Sequence, residues 1–129
     1  MLHYIGKILG FLGRGGQDIS EWYAVDFDET EISRDVSPPG RVAYKDQLEW
    51  SAIERIMFEA TDFLESDALY LFSKHRPESY LIPMDAKGAD KLWYEILDRK
   101  LFDAELAIEA AGSEGGFFVW PPAAGTKRP

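Results

Sequence analysis

The sequence predicts an α+β domain in which an antiparallel curved sheet or partly open barrel is followed by C-terminal amphipathic helices. Three observations carry that expectation. Short runs of period-two alternation recur from Trp22 to Ile82, clusters of Gly, Pro, Asp and Glu separate them, and the apolar spacing turns helical after Asp85. With 129 residues, 46% of them hydrophobic, the chain suits one domain with a real core. The expected boundaries are 1–17 for an N-terminal amphipathic helix and Gly-rich linker, 18–121 for the domain, and 122–129 for a disordered tail.

In the first segment, Leu2, Ile5, Leu9 and Leu12 recur at helical spacing with Ile8 adjoining. The apolar stretch falls short of the roughly 20 residues needed to span a bilayer, and it lacks the layout of a signal peptide. Docking on the domain is the simpler expectation, because Gly6, Gly10 and Gly13 weaken a free helix; the alternative is a membrane-surface anchor formed by residues 1–13. Next, Tyr23, Val25 and Phe27 alternate with Trp22, Ala24 and Asp26 as a strand, and Asp28 and Glu29 turn the chain. "TEISRDV" pairs back, "SPPG" reverses the chain again because prolines fix φ and cannot donate, and "RVAYK" makes a third strand with Val42 and Tyr44 on one side. Short turns between three strands imply an antiparallel meander.

At "QLEWSAIERI" the alternation shifts phase, so the chain turns a corner at Ser51 and Ala52 with Trp50 and Ile53 filling it from inside. Ile56, Phe58 and Ala60 then alternate, and "DALYLFSK" and "ESYLIPMD" supply two more strands around the hairpin loop "HRPE". Pro83 points to an edge position or a bulge for the second of these. Ala89, Leu92, Trp93, Ile96 and Leu97 line one helix face, with Asp85 as the expected cap and Lys91, Glu95 and Arg99 on the solvated side. "FDAELAIEAAG" is a shorter helix from the N-cap Asp103 to the stop at Gly112, and "GGFFVW" is a last strand.

Composition narrows function more than motifs do. The net charge of -9 repels a nucleic-acid backbone and leaves basic proteins, cations and neutral ligands as partners. The absence of Cys removes disulfides and thiolate chemistry and fits a reducing cytoplasm. Nucleophilic catalysis lacks a base: His3 lies near the terminus, and His75 sits between Lys74 and Arg76 in a hairpin loop, where it reads as surface. There is no P-loop, dinucleotide fingerprint or zincin motif, so the sequence gives no catalytic, cofactor-binding or metal residues.

The stretches "LEWSAIERI", "YLIPMDAKGADKLWYEIL" and "FDAELAIEAAG" resemble small bacterial proteins with a pleckstrin-homology-like or GRAM-like domain and no assigned activity, over roughly residues 20 to 120. In the pleckstrin family a Trp-x-x-Ile step commonly precedes a central strand, and lipid-binding members use a basic pocket between the first strands. Here that place carries Asp26, Asp28, Glu29 and Glu31, so the resemblance implies the fold without headgroup binding there.

The expected function is a non-enzymatic cytoplasmic protein-binding module for a basic partner, with an immunity- or inhibitor-type protein as one form. Its candidate contact residues are Asp26, Asp28 and Glu29, the later acids Glu59, Asp62, Glu65 and Asp67, and Trp22 and Trp120 as outward aromatic anchors. The alternative is a metal-assisted enzyme or ligand-binding domain using the same carboxylates, although neither cluster has the spacing of a calcium loop.

Overall fold

Alternation on the strands sorts side chains onto two faces, and the computed structural model, which describes residues 18–61 and 66–122, shows two antiparallel sheets built on that rule. After a 3-10 turn at Ile19–Glu21, β1 (Tyr23–Phe27), β2 (Glu31–Val36) and β3 (Tyr44–Glu49) form a meander in the order β1-β2-β3. A second 3-10 turn, Trp50–Ala52, leads into β4 (Ile53–Ala60), β5 (Ala68–Ser73) and β6 (Tyr80–Pro83). Helices α1 (Ala89–Asp98) and α2 (Ala104–Ala111) precede β7 (Gly116–Trp120), which returns to pair with β4, so the second sheet runs β6-β5-β4-β7. The two sheets do not close into a barrel. The expected N-terminal helix and linker, and residues 123–129 of the expected tail, lie outside the described residues, as do Asp62 and Glu65. No helix among the described residues is long and apolar enough to cross a membrane.

The inner faces make the main core. Ile56, Phe58, Leu69, Leu71, Tyr80 and Ile82 from the four-stranded sheet meet Val25, Ile32, Val36 and Leu48 from the three-stranded one, with Leu92 and Ile96 of α1 packed in. On the other face of the four-stranded sheet Met57, Ala68 and Tyr70 are also buried, with Phe72, Leu81 and Val119 around them. Pro83 sits on the edge strand β6, where its missing N–H leaves the ladder intact.

Two boundaries differ from the sequence expectation. The third strand is Tyr44–Glu49 rather than the run around Val42, whose side chain is 87% exposed in the preceding loop. The register explains the shift: β3 lays Leu48 beside Ile32 and Asp46 beside Arg34, which buries Leu48 and pairs the charges. Likewise α1 starts from Gly88, not from Asp85. Lys87 bridges to β1, its carbonyl accepting from Val25 N (2.8 Å) and its N–H donating to Tyr23 O (2.9 Å), so the chain cannot enter the helix until the next residue. At Gly88 φ is +86°, and a Cβ would stand 2.2 Å from the Val25 carbonyl oxygen; no other residue fits that approach. Asp103 caps α2 as expected, accepting from Leu106 N at 3.0 Å, and Gly112 ends the helix.

The Trp50 corner is where one sheet hands over to the other. Its indole is buried, donates to the Asp28 carbonyl (2.9 Å), packs edge-on against Phe27 and lies under the Arg99 guanidinium (3.9 Å to the ring). Arg99, expected on the solvated side, is therefore partly covered while still pairing with Glu95 at 2.8 Å. Trp50→Ala should cost about 3–5 kcal/mol by opening a cavity under that guanidinium. Trp50→Phe, which keeps most of the volume and loses the indole donor, should cost about 1–2 kcal/mol. Urea denaturation of both variants checks the order, and an unchanged midpoint for Trp50→Ala would refute the corner.

Candidate functional site

Period-two alternation on β2 places Ile32, Arg34 and Val36 on one face, which sets a guanidinium in an apolar stripe. Cross-strand register builds the rest. Phe27, Ile32 and Leu48 form one row across the three strands, Val25, Arg34 and Asp46 the next, and Tyr23, Val36 and Tyr44 the third. The first row belongs to the core, the middle row is half ionic, and the third opens to a cleft.

Arg34 is 7% exposed and fully engaged. Its Nε and Nη2 donate to the two oxygens of Asp46 at 2.8 and 2.5 Å, while Nη1 donates to the Tyr23 hydroxyl (3.0 Å) and to the Leu81 carbonyl (3.1 Å). The Tyr23 hydroxyl in turn donates to the Leu81 carbonyl. Tyr80 and Tyr44 put their rings 5.1 and 5.5 Å from the guanidinium carbon. Burial works against the Arg34 charge, but the bonds to Asp46 and Tyr23 outweigh it and hold the guanidinium above its ordinary range. Burial also pushes the Tyr23 hydroxyl well above the usual phenol range, with Arg34 opposing.

Above this network lies an open cleft of about 390 Å³. Trp22, Val36, Pro38 and Tyr44 give it apolar and aromatic wall, and Arg41 and Arg76 bring two further cations. Arg76 is positioned by its own loop: it stacks on Tyr80 at 3.7 Å, and its Nε and Nη2 donate to the Glu78 and Ser79 carbonyls, both at 3.0 Å. Among the described residues neither Arg41 nor Arg76 has a carboxylate partner, whereas Arg34 pairs with Asp46 and Arg99 with Glu95. Trp22 is 5% exposed, and its indole N–H has no hydrogen-bond partner among the described residues, a deficit that costs about 1–3 kcal/mol.

Most of the residues expected to meet a partner are placed elsewhere and occupied. Trp22 is buried, not outward, because it precedes the first strand residue and is folded in beside the Tyr23 ring. Trp120 stands on the edge strand β7 but is half-buried, packed against the main core. Glu59 is 2% exposed and accepts from the Tyr70 hydroxyl at 2.5 Å, because the outer sheet face that carries it is itself covered. Burial, reinforced by that bond, raises the Tyr70 hydroxyl above its ordinary range. Asp67 accepts from Thr61 N and Oγ1 at 2.9 and 3.1 Å and so ties the ends of the β4–β5 connection. Asp26, Asp28 and Glu29 remain exposed at the β1–β2 turn, though Asp28 is also a turn former, accepting from Thr30 N and Glu31 N at 2.8 and 2.9 Å. His75 is exposed in the β5–β6 loop.

Asp62 and Glu65 are outside the described residues, and among those described no three His, Asp or Glu side chains gather where a metal would sit. The sequence reading missed the Arg34, Asp46, Arg41, Arg76 and Tyr44 constellation. One signal for it was present, since alternation on "EISRDV" points Arg34 the same way as Ile32 and Val36. Comparison with known protein families, curated proteins and solved structures finds no match to this chain.

Removing Asp46 leaves a buried guanidinium without its counter-charge, so Asp46→Ala should lose about 3 kcal/mol or more. The paired replacement Arg34→Met with Asp46→Leu should recover most of that loss. Denaturation midpoints that are equal for wild type and Asp46→Ala would show the pair to be dispensable. A second expectation follows from Asp28, whose carboxyl is held below its ordinary range by the Glu31 and Thr30 amides. A depressed folded-state value stabilises above the ordinary carboxylate range, and the benefit disappears as pH falls through the depressed value. The melting-temperature gap between wild type and Asp28→Ala should therefore be full at neutral pH and narrow as pH falls below the ordinary carboxylate range. A gap of constant size would contradict the turn's charge dependence.

Proposed function

We propose that the chain is a non-enzymatic, cytoplasmic protein-binding module of pleckstrin-homology-like build, and that it holds its partner at the cleft above Arg34. The observation that carries this reading is how the cleft is made. Its floor is a guanidinium with every neighbour committed, its walls are aromatic, and its two further cations have no acid partner among the described residues. Such a surface is organised to be occupied, and among the described residues no His lines it to supply a base. The fold assignment draws on the two antiparallel sheets, the Trp50 corner and the amphipathic helix beside β1, while the return of β7 after the helices is its departure. Val42, at 87% exposure, and Tyr44, at 44%, extend the apolar surface at and beyond the cleft, which suits a macromolecular partner better than a small molecule.

A second reading keeps the immunity- or inhibitor-type role for a basic partner. It is favoured by the exposed acids Asp26, Asp28 and Glu29 at one turn and by the net charge of -9.

The test uses the full chain as bait in lysate of its own organism. Tyr44→Ala, checked for an unchanged melting temperature, should lose a stoichiometric protein partner that wild type retains; loss through Asp26→Asn with Glu29→Gln instead would favour the second reading. No protein partner for any bait, together with turnover in a small-substrate screen, would overturn the binding module.

A further inference from the structure

The protein is strongly acidic, yet three of its arginines, Arg34, Arg41 and Arg76, line one cleft. Among the described residues only one acid, Asp46, lines the cleft with them, and Arg34 has taken both of its oxygens. The cleft is therefore a local reversal of the protein's sign, built rather than accidental. The Arg76 guanidinium is fixed face-on to Tyr80 by two carbonyls of its own loop, and Arg41 is exposed at the same cleft; among the described residues Nη1 of Arg76 and the whole Arg41 guanidinium have no partner. Beside these cations stand the exposed Tyr44 and the largely buried Trp22. Cations and aromatic faces together recognise a carboxylate carried next to a flat or bulky apolar group.

Resting on the binding-module reading, we infer that the cleft takes an acidic peptide segment of the partner, with a Glu or Asp carboxylate at Arg41 and Arg76 and an adjoining aromatic side chain against Trp22 and Tyr44. A peptide is favoured over a free small anion by what adjoins the cleft. Tyr44 opens β3, which is an edge strand of its sheet, and its outer side carries no backbone pairing among the described residues. An extended segment leaving the cleft therefore meets free N–H and C=O groups and the exposed Val42. The sign of the ligand is also specific: binding runs against the net charge of -9, so it must come from these side chains and not from bulk attraction.

The experiment measures binding of the full-length protein to three labelled polypeptides, poly(Glu,Tyr), poly(Glu) and poly(Lys,Tyr), by fluorescence anisotropy at moderate salt. Poly(Glu,Tyr) should bind at least about tenfold more tightly than poly(Glu), and Arg41→Gln with Arg76→Gln should weaken it about tenfold or more without changing the circular dichroism spectrum. In the ¹⁵N-labelled protein the Trp22 indole signal, identified by its loss in Trp22→Phe, should shift on addition of poly(Glu,Tyr). Absence of poly(Glu,Tyr) binding, or full binding by a folded double-arginine variant, overturns the inference. Binding of poly(Lys,Tyr) alone, abolished by Asp26→Asn with Glu29→Gln, overturns the acidic ligand while leaving the binding module standing. If poly(Glu,Tyr) binds as expected but the lysate bait finds no partner and a substrate is turned over, the ligand chemistry holds and the module reading fails.

Discussion

A guanidinium buried between two sheets governs the arrangement of this protein. Arg34 can be there only because β3 brings Asp46 directly opposite it, β1 brings the Tyr23 hydroxyl, and β6 offers a carbonyl that its own sheet leaves unpaired. Each of those partners comes from a different strand, and β6 belongs to the other sheet. The charge therefore fixes the register of the meander and the distance between sheets together. A one-residue slip of β3 would turn Asp46 to the far face and leave the cation unanswered, a larger penalty than the mispacking of Leu48 alone. The same bonds finish the edge of β6, since the Leu81 carbonyl accepts from both Tyr23 and Arg34.

The elements legible in the sequence are those whose cause is local. Alternation located β1 and β4, runs bounded by turn residues located β2, β5 and β7, helical spacing located α1, and Asp103 and Gly112 bounded α2 through their own caps. Pro83 marked an edge because its missing donor acts wherever it stands. What escaped depends on partners distant in the chain. Val42 and Tyr44 alternate as well as Asp46 and Leu48 do, and only the pairing with β2 decides between them. Asp85 is a good cap by residue type, but the bridge from Lys87 to β1 postpones the helix.

The candidate site was less legible than the fold, for a related reason. Trp22 stands just outside the strand whose phase was used to orient it, so alternation said nothing true about its side chain. Acidic residues read as a contact surface prove to hold turns and loops together, as Asp28 and Asp67 do, or to be buried, as Glu59 is. A carboxylate that accepts backbone amides is indistinguishable in sequence from one that waits for a partner. Net charge consequently described the protein's outer field without describing the place where it is most specifically shaped.

The bridge between Lys87 and β1 has a mechanical meaning. Tyr23 binds Lys87 through its main chain and Arg34 and Leu81 through its hydroxyl, so a single residue is clamped at both ends. The next residue after Lys87 is Gly88, where any added Cβ would collide with the Val25 carbonyl. Helix α1 begins there, which makes Tyr23 a short rigid strut from the floor of the cleft to the first turn of the helix. Anything that tilts that floor must also push on α1, and the far end of α1 carries Arg99, which lies over Trp50 at the joint between the sheets.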